Sequence, residues 1–141
     1  MIQERDVIPL FLDACPSFQP IWEQHRAYWG DEDAGGYIDM SEIARHLVEL
    51  MREKHTEYFS SAFAIIERLI VEGEDNVQGL AIVGVLEDLQ NIAANMNVDP
   101  EKFLPWLGPK SGIAWAWLNQ LWEGKSNLMD VLREETRDNS L

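Results

Sequence analysis

The run Leu80 to Leu86, "LAIVGVL", has no polar side chain, and acids stand on both sides of it: Glu72, Glu74 and Asp75 before, Glu87 and Asp88 after. A helix that is apolar all round cannot lie on a surface and has to be enclosed by other elements. The run falls within a predicted fifth helix, Val77 to about Asn95, capped by Asp75 or Asn76. Gly79 and Gly84 each cost about 1 kcal/mol against alanine in a helix interior, so they predict a neighbouring helix crossing closely there. Gly73 is a natural stop for the helix before it.

The rest of the chain supplies the enclosure. Apolar residues recur at helical spacing and no alternating strand pattern stands out. The first predicted helix covers Asp6 to Ala14, with Pro9 in its opening turn. Ser17 is placed to cap a second helix, Phe18 to Trp29, whose apolar side is Phe18, Ile21, Trp22 and Trp29. A third runs from Ser41 or Glu42 to about Glu53, and a fourth from about Glu57 to Glu72. Asp99-Pro100 opens a sixth helix that reaches about Leu107. The seventh, "IAWAWLNQLWEG", puts Trp115, Leu118 and Trp122 on one face, and a last helix spans Leu128 to about Arg137. The expected fold is all-α: one compact domain over residues 1–141, of about seven or eight short helices. The fourth and fifth helices form a central antiparallel hairpin like those of helical-repeat proteins, and a polar tail begins near residue 134.

Charge narrows the partners. The net charge is −14 and the sequence pI near 4.4, so nucleic-acid backbones and anionic membranes repel the chain while basic proteins and metal ions attract it. Cys15 is the single cysteine, which leaves no internal disulfide and fits a reducing cytoplasm. The start, "MIQERDVIPLFLDACP", lacks the basic opening and long apolar centre of a secretory signal. No stretch approaches the roughly 20 apolar residues of a membrane span. With six tryptophans, several are expected to anchor the packing between helices.

Motifs for chemistry are sparse. Asp31 to Glu42, "DEDAGGYIDMSE", follows the spacing of an EF-hand calcium loop, with Asp31, Asp33, Asp39 and the closing Glu42 as side-chain ligands and Gly36 at the sharp turn. Gly35 offers no oxygen at the fifth position, and no second loop pairs with this one. The alternative is an acidic, glycine-rich surface loop. The acids around the fifth helix lack the Glu-x-x-His repeats of a di-metal bundle, and His25, His46 and His55 fall in no such spacing. There is no nucleophile elbow, phosphate loop or dinucleotide fingerprint. Cys15 and His46 read as packing residues, so no catalytic residue is expected. A tryptophan-lined ligand pocket has no motif behind it.

Three segments carry a resemblance: "ARHLVEL" (Ala44 to Leu50), "FAIIERLIVEGEDNVQGLAIVGVLEDLQNI" (Phe63 to Ile92) and "LGPKSGIAWAWLNQLWEG" (Leu107 to Gly124). From about residue 16 to 124 the chain resembles a family of small, acidic, all-helical bacterial proteins of uncharacterised-domain type, associated with polymorphic toxin loci. The resemblance implies an immunity protein: a cytoplasmic, non-enzymatic binder of a cognate toxin with a basic surface, needing no cofactor. On that reading the contact residues are Asp31, Glu32, Asp33, Glu72, Glu74, Asp75, Glu87 and Asp88, with Trp29 as anchor. The alternative is a calcium-binding protein that uses Asp31, Asp33, Asp39 and Glu42.

Overall fold

The computed structural model describes residues 1–121. Trp122, the predicted helix Leu128 to Arg137 and the polar tail lie outside the described residues.

Residues 1–121 are all-α. Helices α1 (Glu4–Ala14), α2 (Gln19–Trp29), α3 (Gly36–Arg52) and α4 (Phe59–Glu72) precede one long helical stretch. That stretch joins α5 (Asp75–Gly79), a π-helical segment (Leu80–Leu86) and α6 (Glu87–Asn95) without a break, since the junction residues keep right-handed helical dihedrals. A 3-10 helix (Pro100–Trp106) and α7, over residues 109–121, follow.

The π segment has a cause in the sequence. Val77, Ala81, Val85, Leu89 and Ala93 are all wholly buried, and they recur every fourth residue. In an α-helix each such step drifts by about 40°, so the set would spiral out of the core. The wider π turns in the middle cancel that drift and keep the set on one side. Burial is therefore not all-round as expected: Ile82 is half-buried and Val83 exposed.

Helix α3 is the main cover of this central stretch, more than α4, although α4 and α5 are joined by a tight turn at Gly73 and Glu74. The close crossing predicted from the glycines is present. A Cβ on Gly84 would lie 3.0 Å from both Cβ and Cγ of Met40, and one on Gly79 would lie 3.0 Å from the Tyr37 hydroxyl. Gly73 ends α4, but in extended rather than left-handed backbone (φ −81°, ψ 154°). It has to be glycine for space: a Cβ there would collide with the Leu69 carbonyl oxygen and with Val77.

Among the buried aromatics of the described residues, phenylalanine outnumbers tryptophan. Phe59, Phe63 and Phe103 are buried in mutual ring contact at 5.6–6.1 Å, and Trp106 meets Phe59 edge-on at 5.1 Å. Trp115 and Leu118, expected on one face of the seventh helix, are both buried, whereas Trp22, Trp29 and Trp106 are half-buried and Trp117 is exposed. The sixth predicted helix is a 3-10 helix containing Pro105, which has no backbone N–H to give. Asp99 caps it as expected, accepting from the Glu101 N–H at 3.0 Å.

At the amino end α1 begins at Glu4, ahead of the predicted Asp6, and Pro9 consequently lies in the helix interior. The Asp6 carboxylate accepts the Gln3 N–H at 2.9 Å, which favours the earlier start. Ile2 forms an isolated parallel bridge with the α4–α5 turn, donating to the Glu72 carbonyl and accepting from the Glu74 N–H. Glu74, rather than Asp75 or Asn76, occupies the cap position of α5.

Candidate partner-binding site

The predicted contact acids fall into three places. Asp31, Glu32 and Asp33 are exposed on the loop between α2 and α3, which is bracketed by Gly30 (φ 63°) and Gly35 (φ 94°). Both glycines adopt left-handed backbone that a side chain would strain. Asp33 Oδ1 accepts the Gly35 N–H at 2.9 Å and shapes the loop's exit. Arg26 donates to the Gly30 and Glu32 carbonyls at 3.3 and 3.4 Å, so it ties down the loop backbone without neutralising the carboxylates.

A second group lies at the α4–α5 turn. Asp75 is exposed in the first turn of α5, where negative charge suits the helix dipole. Glu74 is half-exposed, and Glu72 pairs with Arg68 one turn back at 2.8 Å. The third group, Glu87 and Asp88, is half-buried at the start of α6. The Asp88 carboxylate accepts the Ser41 hydroxyl at 2.6 Å, which makes it a tie between α6 and α3 rather than a solvent-facing acid.

Glu4 was not among the expected residues, yet it joins the first two groups. Asn76 Nδ2 donates to its Oε2 at 3.4 Å, and a Cβ on Gly36 would come within 2.5 Å of its Oε1. Glu4 thus sits between the starts of α3 and α5. It also lines a cleft of about 420 Å³ with Arg5, Trp22, Asp33 and Asp39. No local signal marks this residue, because positions 4, 36 and 76 meet only in the folded chain.

The EF-hand-like stretch is divided. Helix α3 starts at Gly36, ahead of the predicted Ser41, so Tyr37 to Glu42 are helical. Asp39 and Glu42 face α2 instead of closing a loop. Asp39 Oδ1 lies 2.8 Å from His25 Nε2, and Glu42 Oε1 lies 3.9 Å from His25 Nδ1. His25 is buried, with the Trp22 and Trp29 rings 5.5 and 6.4 Å away. Asp39 has a hydrogen-bond partner of its own, and a helix does not wrap oxygens around a cation as a loop does. Among the described residues no group of three or more His, Cys, Asp or Glu side chains is disposed to hold a metal ion. Trp29, the proposed anchor, is half-buried at the end of α2, next to an exposed Tyr28.

Ser17 does not cap α2, which begins at Gln19 after a 3-10 turn (Pro16–Phe18). Its hydroxyl lies 2.8 Å from His46 Nε2 and 3.4 Å from Cys15 Sγ. Burial pushes the Cys15 thiol above its ordinary pKa, against hydrogen bonds from Ser17 and the Phe18 backbone, so it stays protonated and unreactive. Burial pushes His46 below its ordinary pKa, against the charges of Glu49 and Glu53. Both side chains are buried.

Comparison with known proteins adds one relationship. No curated protein and no solved structure matches the chain. The family described as a domain of unknown function, DUF7674, matches residues 8–123, close to the span of the resemblance read from the sequence. The chain belongs to this family.

Proposed function

We propose that the chain is a non-enzymatic immunity protein that binds a cognate bacterial toxin through its acidic face and neutralises it in the cytoplasm. The observation that carries this reading is uncompensated charge. Among the described residues, Arg68–Glu72 is the one ion pair of a lysine or arginine with a carboxylate; the others involve histidine. Asp31, Glu32, Asp33 and Asp75 are exposed with no such partner among the described residues, on a chain of net charge −14. Toxin domains that act on nucleic acids or nucleotides carry cationic sites. An acidic face is steered to such a site and competes with its anionic substrate.

The test is a pull-down of the tagged chain against the toxin domain encoded beside its gene, at low and high salt. A complex that weakens as salt rises, and is lost when Asp31, Glu32, Asp33 and Asp75 are changed to lysine with helical content preserved, supports the reading. A complex indifferent to both sinks the acidic interface. No complex with a folded, active toxin sinks the immunity role.

A further inference from the structure

The cleft of about 420 Å³ that Glu4 lines has walls of two kinds. Ile8, Leu12 and the half-buried Trp22 supply an aliphatic and aromatic side. Glu4, Asp33 and Asp39 supply carboxylates, against a single cation, Arg5. Each carboxylate is hydrogen-bonded through one oxygen: Glu4 through Oε2 to Asn76, Asp33 through Oδ1 to the Gly35 N–H, and Asp39 through Oδ1 to His25. The other oxygen of each has no hydrogen-bond partner among the described residues, and none of the three is an orphan sealed in the core.

The fold explains only part of this. Negative charge suits the first turns of α1 and α3, where Glu4 and Asp39 lie. That does not account for Asp33, nor for the open apolar side next to the acids. Arg5 is exposed and makes no ion pair within 4 Å among the described residues, so it leaves the carboxylates uncompensated. Apolar walls beside unbonded carboxylate oxygens fit an alkyl cation, whose methylenes pack while its head stays polar. The Trp22 ring already carries one such group, the Arg26 guanidinium 5.9 Å from its centroid.

We propose that this cleft receives a lysine or arginine side chain of a basic protein partner, its methylenes along Ile8, Leu12 and Trp22 and its charged head on the unbonded oxygens of Glu4, Asp33 and Asp39. Asp33 also belongs to the exposed acidic loop, so a partner seated on that loop reaches the cleft with one side chain. The source of the side chain rests on the immunity reading; the preference of the cleft for an alkyl cation does not.

NMR titration of the isotope-labelled full chain tests the cleft without a toxin. The probes are the N-acetyl amides of arginine, lysine and citrulline, the last a neutral counterpart of arginine, and spermidine, all at fixed ionic strength. Saturable shifts centred on Ile8, Leu12, Trp22 and Gly36 are expected for arginine and lysine at millimolar concentration, with citrulline weaker. Glu4→Gln should weaken the arginine probe by up to about fivefold, and Arg5→Gln should tighten it by up to a similar factor. Both residues are exposed, so neither change threatens the core. The proposal is overturned by an absence of saturable shifts at the cleft, by citrulline binding as tightly as arginine, or by an Arg5→Gln protein that binds arginine more weakly. Micromolar binding of spermidine alone would overturn it in favour of a free polyamine. In the toxin pull-down, Glu4→Lys should weaken the complex, and a complex indifferent to it overturns the insertion. Failure to form any complex, with arginine binding at the cleft intact, sinks the immunity role and leaves the preference of the cleft supported.

Discussion

Glu67 on α4 caps α7 from outside it: its Oε1 accepts the Ser111 N–H at 2.8 Å while its Oε2 accepts the Lys110 N–H at 2.9 Å. Two of the N–H groups that a helix leaves unpaired at its start are satisfied by one carboxylate from another helix, favoured further by the helix dipole. Burial alone would raise the Glu67 pKa, but these N–H bonds, the Ser111 hydroxyl and the Lys110 charge outweigh it and hold the group below the usual carboxylate range. Gly108 leaves the room, since a Cβ there would come within 2.5–2.9 Å of the Glu67 side chain.

Replacing Glu67 by alanine should cost about 1–2 kcal/mol in urea unfolding, the scale of a lost helix cap. Glutamine, which keeps the shape and loses the charge, should cost less. Because folding depresses the Glu67 pKa, its contribution is complete above the unfolded value, about 4.3, and is lost as pH falls through the folded one. Stability of Glu67→Gln relative to the parent should accordingly converge in acid. A difference that stays constant from pH 7 to acid would exclude this linkage.

The glycines should separate by what each faces. Gly84→Ala gains about 1 kcal/mol of helix propensity, but the new methyl meets the Cβ and Cγ of Met40, next to the α3 backbone, and overpacking there costs about 1–3 kcal/mol. A net loss of about 1 kcal/mol is expected. Gly79→Ala meets only the hydroxyl end of the exposed Tyr37 and should be neutral or stabilising. Gly73→Ala collides with backbone and should be the most damaging of the three. Thermal melts of the single variants would expose a wrong order directly.

Ser17 and His46 predict a second pH dependence. His46 is neutral in the fold because burial lowers its pKa, so the unfolded chain takes up a proton that the native one refuses. Stability is complete above the unfolded histidine pKa, about 6.5, and falls as pH drops from there towards the folded value. His46→Gln should lessen the loss between pH 7.5 and 5.5. Ser17→Ala leaves a buried ring nitrogen without its 2.8 Å partner and should cost about 1–3 kcal/mol at pH 7.5. An unchanged denaturant midpoint in Ser17→Ala would show that water replaces the hydroxyl.

For the Asp31 to Glu42 stretch, helix α3 and the His25–Asp39 bond predict no calcium response. Calorimetry from micromolar to millimolar calcium should give no binding heat and no shift in melting temperature. A saturable heat removed by Asp31→Asn would restore the loop reading, and would require α3 to unwind from Gly36.

Helical class, the shared face of Trp115 and Leu118, and the close crossing at Gly84 were all legible in the sequence. Each rests on local periodicity or on the cost of a glycine, and those operate within one helix. The π turn was not legible, because Leu80 to Leu86 is apolar at every position and the every-fourth set from Val77 to Ala93 stands out only through its burial in the fold.

What only the tertiary structure decided are the pairings between distant segments. Asp39 satisfies His25, Asp88 satisfies Ser41, Ser17 satisfies His46, and Glu67 caps α7 across 43 and 44 residues. In each case a polar group that local reasoning assigns to a loop ligand, a contact face or its own helix cap is taken by a neighbour brought close in folding. The physical reason is that a buried polar atom has to find a partner wherever the packing of the apolar stripes puts one, and the stripes carry no mark of which residue that is.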